Sequence, residues 1–276
     1  MHGSAKMPVS YARLVEAIAP YGSTVVAYSG GVDSALVARA AHDALGARAV
    51  AAISDSPTLP REELAEARAT AASIGIRLVE IERSELDDPR FVENPANRCY
   101  FCKAGLQDEL TAFAAKAAFA TVSYGVNLSD LGEWRPGIQA ARERGARFPL
   151  VDVGLDKNAV RGLARELGLS IWDKPASPCL SSRIPYGEVI TVEKLKRVEE
   201  AESFVRRQGF RDLRVRSLDG VARVEVPEAD VRRLLGLRDA IVPTLRGLGF
   251  RDVVLDRRGF QSGRLNLEHG GLTHAE

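Results

Sequence analysis

The chain has 276 residues, 45% of them hydrophobic and 27% charged, and its 38 Lys and Arg against 37 Asp and Glu leave a formal net charge of +1. That balance excludes a bulk electrostatic reason to bind nucleic acid or an anionic membrane, so any phosphate binding has to be local. No apolar run reaches the roughly 18 residues of a membrane span, MHGSAKMPVS lacks the apolar core of a secretory signal, and three cysteines cannot all pair in one chain, so the cytoplasm is the expected compartment.

In chain order, the first two-thirds alternates short β-rich runs with helical stretches. STVVAYSGG is predicted as a strand and turn, and VDSALVARAAHDALG as an amphipathic helix closed by Gly46. ARAVAAISD is the next strand, REELAEARATAASIGI a helix with apolar residues near i, i+3 and i+4, and RLVEIERSEL a third strand. AGLQDELTAFAAKAAF is helical and leads into the strand ATVSYGVN. The order β-α-β-α-β-α-β predicts right-handed crossovers and a mostly parallel sheet buried on both faces.

Past about Tyr186 the rhythm changes. TVEKLKRVEEAESFVRRQ is a helix, LRVRSL and VARVEV form a hairpin about Asp219-Gly220, ADVRRLLGLRDAIVPTLRGL is one further helix, and VVLDRRGF is a closing strand. GFRDLRV at Gly209 is echoed by GFRDVVL at Gly249, which suggests two related helix–strand units. The expected organisation is a flexible N-terminus over 1–10, an α/β domain over 11–185, a smaller α+β domain over 186–267 and a flexible tail over 268–276.

The most informative stretch is SGGVDS, Ser29 to Ser34, where a buried strand turns into a helix. Gly30 and Gly31 let the backbone approach a ligand. The helix N-terminus behind them offers unpaired N–H groups and partial positive charge, which makes an anion site. Ser29 and Ser34 add hydroxyls, and Asp33 could stabilise the first turn or help hold Mg²⁺. No GxxxxGK[ST] occurs, so the cradle is expected to be lysine-free, which favours cutting ATP at the α-phosphate over kinase chemistry. In its strand–loop–helix setting SGGVDS resembles the signature of the PP-loop ATP pyrophosphatases.

Cys99 and Cys102 form a C-x-x-C, and Cys179 lies in the Pro-rich KPASPCLSSR; all three are expected in loops. Four readings of these residues stand side by side: inert buried thiols, a redox dithiol beside Arg98 and Lys103, structural zinc, or an iron–sulfur cluster. Zinc normally takes four protein ligands, and none of His2, His42, His269 and His274 is an evident fourth. A [4Fe–4S] cluster usually takes four cysteines, so three would leave one iron open.

SGGVDS, NRCYFCK, YGVNLSD, RPG, SPCLSSRIPYGEVIT, LRVRSLDGVARVEV and DRRGFQSGRLN, taken together and in that order, resemble the LarE family from about Tyr11 to Asn266. The resemblance implies an α/β fold: a parallel-sheet PP-loop (adenine nucleotide alpha hydrolase-like) domain with a smaller α+β C-terminal domain. It implies an ATP-dependent sulfur transferase of nickel-pincer nucleotide biosynthesis, the route to the lactate racemase cofactor. Each carboxylate of pyridinium-3,5-biscarboxylic acid mononucleotide would be adenylated and converted to a thiocarboxylate. ATP, Mg²⁺ and a [4Fe–4S] cluster are the implied cofactors. In one type of the family three cysteines, matching Cys99, Cys102 and Cys179, hold a cluster whose open iron carries sulfide. In the other, the cysteine matching Cys179 gives up its own sulfur and becomes dehydroalanine. All three cysteines are present, which favours the first type.

For the nucleotide, the candidates are Ser29, Gly30, Gly31, Asp33 and Ser34, together with Gly125, Asn127 and Asp130 after a buried strand, which match the family's nucleotide-side loop. Lys103 and Arg183 flank the cysteines and join Cys179 and Asp33 as catalytic candidates, neutralising phosphate or developing charge. The alternation of Arg214 and Arg216 reads by itself as a solvated strand face; the resemblance makes them the substrate-phosphate pair. Glu202 and Glu225 match acidic positions linked to metal or subunit contacts, and Trp134 and Trp172 read as packing residues. The implied partners are a nucleotide substrate, a sulfide or other sulfur source, and copies of the chain in a closed homo-oligomer such as a hexamer. A tRNA thiolase is the alternative enzyme, against which no long basic tract is found. A non-catalytic nucleotide-binding regulator is the alternative outside catalysis.

Overall fold

A computed structural model describes residues 8–132 and 135–260; Trp134, most of the expected flexible N-terminus, the 268–276 tail and the end of DRRGFQSGRLN lie outside the described residues. The chain forms two compact units, one holding the residues before Ser84 together with Cys99–Ser177, the other Ser84–Arg98 and the chain from Pro178 on. Helices α1 (Val9–Ile18), α2 (Val32–Leu45) and α3 (Arg61–Ile74) belong to the first unit and the single turn α4 (Pro89–Val92) to the second. Then α5 (Arg98–Lys116), α6 (Pro136–Glu143), α7 (Pro149–Asp152) and α8 (Lys157–Glu166) return to the first, and α9 (Val192–Arg207), α10 (Val231–Gly236) and α11 (Arg238–Gly247) to the second. No helix among the described residues is long and apolar enough to cross a membrane.

In the first unit, β1 (Thr24–Ala27), β2 (Ala49–Asp55), β3 (Arg77–Glu82) and β4 (Thr121–Tyr124) form a parallel sheet in the order β3-β2-β1-β4. Its centre is apolar on both faces, as a parallel sheet between helices requires. Val25, Ala27, Val50 and Ala52 pack with Leu110 and Ala114 of α5 and Ala141 of α6. Val26, Ala51 and Ile53 pack on the other face with α1, α2, α3 and α8. Because α2 is covered nearly all round, most of its residues from Val32 to Leu45 are buried. The chain leaves β1 toward β2 on one side while β4 joins β1 on the other. The gap between the carboxyl ends of β1 and β4 is therefore the topological switch point, where open α/β sheets bind ligands.

Three elements differ from the sequence expectation. RLVEIERSEL stops as a strand at Glu82, because the Ser84 hydroxyl accepts from Leu86 N–H at 3.2 Å and turns the chain into a 3-10 turn over Glu85–Asp87. The helix expected from Ala104 starts at Arg98, so Cys99 and Cys102 lie in a helix and not in a loop. The run Arg98–Lys103 carries no apolar period of 3.6 residues, so the sequence gives no sign of that first turn. The single helix expected from Ala229 to Leu248 is broken at Leu237, whose backbone (φ −100°, ψ 13°) leaves the helical range between α10 and α11.

The second unit has a three-stranded sheet in the order β5-β6-β7: β5 (Arg214–Leu218) and β6 (Val221–Glu225) pair antiparallel, and β7 (Asp252–Leu255) adds parallel to β6. Asp219 and Gly220 both have positive φ, 45° and 76°, which matches the twist of a two-residue hairpin. The GFRD echo is structural. Gly209 follows α9 and leads to β5, as Gly249 follows α11 and leads to β7. Each phenylalanine carries a cation on its ring, Arg233 over Phe210 at 4.4 Å and Arg197 over Phe250 at 5.5 Å. Ser84–Arg98 is tied in by Asn94, which is fully buried: its Nδ2 donates to Pro185 O at 2.6 Å and Glu188 O at 2.9 Å, and its Oδ1 accepts from Arg98 at 2.8 Å.

Candidate functional site

Strand β1 ends in a turn built by its own serines. The Ser34 hydroxyl donates to Gly31 O at 3.0 Å, accepts from Ser29 N–H at 3.2 Å and lies 3.1 Å from the Ser29 hydroxyl. Gly30 has φ +71°, and a Cβ there would sit 2.7 Å from the Ala67 Cβ, so α3 closes directly onto the loop. Gly31 caps α2 without any side-chain bond to the first N–H groups. Those groups stay oriented along the helix axis as an anion site.

The loop after β4 completes the switch point. Gly125 touches the start of α2 so closely that a Cβ would lie 2.5 Å from Ser34 N and 2.7 Å from the Asp33 carbonyl carbon. Two residues on, buried Asn127 donates from Nδ2 to Asp33 Oδ1 at 3.0 Å, while its own N–H donates to Asp130 Oδ2 at 3.0 Å. The structure thus brings Asp33 against Gly125 and into one bonded group with Asn127 and Asp130 of the loop after β4, 94 residues on from Asp33 at Asn127.

The expectation of a lysine-free cradle is overturned. Lys157 Nζ bonds to Asp33 Oδ2, and Lys174 Nζ lies 3.4 Å from Gly30 O while pairing with Glu63 and Glu66 at 2.6 Å each. The missing GxxxxGK[ST] excludes a lysine supplied within the loop and says nothing about one supplied more than a hundred residues later. Lys157 opens α8, where Asp156 caps the helix by accepting from Ala159 N–H at 2.8 Å. No local pattern marks either lysine as other than a solvated cation, so sequence reasoning missed both. The carboxylate of Asp33, flanked by amide and phosphate-loop groups, is an oxygen donor suited to Mg²⁺.

Cys99 and Cys102 stand three residues apart in the first turns of α5, hence on one face, at a helix end that favours negative charge. The RPG motif serves this turn: Gly137 lies where a Cβ would meet Cys99 O at 3.2 Å and Lys103 Cβ at 3.4 Å. The Arg83 guanidinium donates to Cys102 O at 3.1 Å, and Lys103 Nζ sits 5.2 Å from the centre of the Tyr124 ring. Burial first, and then the neighbouring Cys102, push the Tyr124 phenol well above its ordinary pKa. Cys179, in the second unit, is the N-terminal cap of a 3-10 turn over Leu180–Arg183. None of the three cysteines forms a disulfide; Cys99 is exposed and the other two half-buried. Among the described residues no group of three or more His, Cys, Asp and Glu side chains is gathered to hold a metal ion. By donor chemistry thiolates are what an iron–sulfur cluster takes.

Arg183, the catalytic candidate beside Cys179, is a buried residue. It is 1% exposed and donates to both oxygens of buried Glu202, at 2.8 and 2.9 Å, and to the carbonyls of Pro178 and Cys179 at 2.5 and 3.1 Å. The arginine face of β5 is not solvated either, since Arg214 and Arg216 are 7% and 5% exposed. The turn after Cys179 covers that face, with Arg216 donating to Ser182 O at 3.2 Å, and the Phe260 ring lies 4.9 Å from the Arg214 guanidinium carbon. Glu225 pairs with Arg216 and Arg223, and Glu202 with Arg183. Arg214 pairs with Asp212 at 3.2 Å, so arginines 183, 214, 216 and 223 each stand beside a carboxylate. Burial, and next the charge of Arg183, lower the pKa of Arg214.

A family model described as NAD synthase matches residues 12–91, which include the phosphate loop. An uncharacterized protein of Synechocystis sp. is 49% identical over 246 residues, covering 88% of this chain and 91% of that protein. Pyridinium-3,5-bisthiocarboxylic acid mononucleotide synthase of Lactiplantibacillus plantarum is 37% identical over 263 residues, 95% of each chain. An uncharacterized protein of Methanocaldococcus jannaschii is 28% identical over 238 residues, 86% of this chain and 90% of that one.

Proposed function

The chain belongs to the LarE family, and on that basis we propose that it is an ATP-using sulfur transferase that makes a pyridinium bisthiocarboxylic acid mononucleotide from the biscarboxylic acid. The observation that carries the reading is the SGGVDS turn at the switch point of a parallel sheet, with Asp33, Asn127 and two lysines gathered on it.

ATP lies with its phosphates on Gly30, Gly31 and the N-terminus of α2. A substrate carboxylate oxygen attacks the α-phosphorus; the bond from that phosphorus to the bridging oxygen breaks and pyrophosphate leaves with the electron pair. The mixed anhydride makes the carboxyl carbon electrophilic, which a free carboxylate is not. Hydrosulfide then adds to that carbon, AMP departs with the electron pair of the C–O bond, and loss of the S–H proton leaves the thiocarboxylate. Where the Cys179 thiolate is the nucleophile the adduct is a thioester, whose Cβ–Sγ bond breaks as the Cα proton is removed, leaving thiocarboxylate and dehydroalanine. Mg²⁺ held by Asp33 would supply charge neutralisation at the phosphates. Lys103, beside the C-x-x-C turn, offers a cation to the departing AMP. The grouped guanidinium groups of Arg214 and Arg216, nearly buried side by side on β5, suit the substrate's phosphate.

Cys99, Cys102 and Cys179 would hold a [4Fe–4S] cluster, which supplies a binding position for exogenous sulfide. A second reading, in which Cys179 gives up its own sulfur, is supported by its setting. Cys179 caps a turn whose carbonyl Arg183 holds, and that arrangement needs no partner thiol. Anaerobic purification with iron and sulfide analysis, pyrophosphate release on adding the biscarboxylic acid mononucleotide, and intact mass after turnover test the proposal together. Substrate-dependent pyrophosphate release with iron retained and mass unchanged supports it; mass loss of the elements of H₂S at Cys179 selects the second reading. Pyrophosphate release absent with ATP bound would sink both. Tight, salt-sensitive tRNA binding would favour the thiolase.

A further inference from the structure

Asp33 has both carboxylate oxygens engaged by nitrogen donors, Oδ1 by Asn127 at 3.0 Å and Oδ2 by Lys157. The two lysines at the loop are held differently. Lys174 is clamped between Glu63 and Glu66, at 2.6 Å from each, with its side chain only 10% exposed. Among the described residues Lys157 pairs with the carboxylate of Asp33, and its side chain is 37% exposed. Its backbone, by contrast, is fixed: its N–H donates to Ser129 Oγ at 3.2 Å, Leu128 N–H donates to Leu155 O at 2.9 Å, and Asp156 caps the helix it opens. Motion at this point is therefore confined to a four-carbon stem carrying a compact charge, which is what a lysine does well.

A carboxylate oxygen bound end-on by an ammonium cannot at the same time ligate a divalent cation from the same side. We propose, resting on the reading of this loop as a MgATP site, that Lys157 is a displaceable counter-ion. It occupies Asp33 while the loop is empty and yields that oxygen to Mg²⁺ when MgATP arrives. It then passes to the phosphate oxygens, and holds the pyrophosphate as it leaves. The exchange keeps the charges paired throughout, carboxylate with ammonium before, and carboxylate with metal and ammonium with phosphate after. Unpaired charge in a half-buried site is what such an arrangement avoids. Lys174 stays in place as a strut between α3 and the loop.

Mn²⁺, read by the loss of its free-ion paramagnetic resonance signal, is the probe on the full-length protein, with pyrophosphate binding followed by calorimetry at fixed Mn²⁺. Lys157→Met removes the competitor, so Mn²⁺ alone binds about fivefold tighter or more than to the unsubstituted protein. Pyrophosphate binds about tenfold more weakly, having lost a charge-assisted partner. Asp33→Asn weakens Mn²⁺ binding in either background and abolishes the gain given by Lys157→Met, and Lys157→Arg retains pyrophosphate affinity and competition. A merely structural lysine would move both affinities down together with the unfolding midpoint. Lys157→Met binding Mn²⁺ no tighter, or pyrophosphate equally well, overturns the proposal; if Lys157→Met does not fold, the same two comparisons are read on Lys157→Gln. Wild-type protein that shows the exchange with Mn²⁺ and ATP but releases no pyrophosphate with the carboxylate substrate would sink the proposed function and leave the exchange standing.

Discussion

Arg183→Met tests whether Arg183 works by holding the Cys179 turn and not by meeting substrate. The substitution keeps the aliphatic volume and removes both bonds to Glu202 and those to the carbonyls of Pro178 and Cys179. Glu202 is 2% exposed and would be left as a buried charge that, among the described residues, keeps the hydrogen bond from Val215 N–H at 3.0 Å but loses its paired guanidinium. Breaking a buried pair in this one-sided way costs about 3–5 kcal/mol. With a urea slope of roughly 1–3 kcal/mol per molar, the unfolding midpoint falls by about 1–5 M in far-UV circular dichroism. Arg183→Met with Glu202→Gln removes the stranded charge while keeping an acceptor for Val215, and regains more than half of the loss. Released carbonyls also loosen the turn, so Cys179, in a background where Cys99 and Cys102 are serine, reacts faster with iodoacetamide. A single variant within about 0.5 kcal/mol of the parent, the scatter of ordinary surface changes, with unaltered Cys179 alkylation, would refute the reasoning.

Further outcomes follow from the same distances. Gly125→Ala forces a Cβ onto the Ser34 nitrogen and the Asp33 carbonyl carbon; ATP binding measured by calorimetry is lost, and stability drops by more than about 2 kcal/mol. Lys174→Met leaves Glu63 and Glu66 facing the phosphate loop without their cation, so the dissociation constant for ATP rises about tenfold, and adding Glu63→Gln with Glu66→Gln restores it. Asn94→Ala strands the carbonyls of Pro185 and Glu188 at a residue whose φ is +58°. It costs about 2–4 kcal/mol in urea melts, and Asn94→Gly costs about 1 kcal/mol less because glycine takes that backbone freely.

The alternation of β-rich and helical runs, and a strand–SGGVDS–helix junction, were legible in the sequence because each depends on neighbours along the chain. Side-chain period, glycine at a positive φ and an uncapped helix start are local properties, so the parallel sheet and the anion site could be read before any contact was known. The GFRD echo belongs to the same class. What the sequence could not carry is which distant charges meet. Lys157 and Lys174 look like solvated lysines, Arg214 and Arg216 by alternation alone like a wet strand face, and nothing local to Arg183 points to Glu202. Only the folded chain lays α8 against the β4 loop, seats Lys174 between two glutamates of α3, and covers the arginine face with the turn after Cys179. Burial and pairing are sums over neighbours brought in from elsewhere in the chain, and those sums turn ordinary cations into parts of a site.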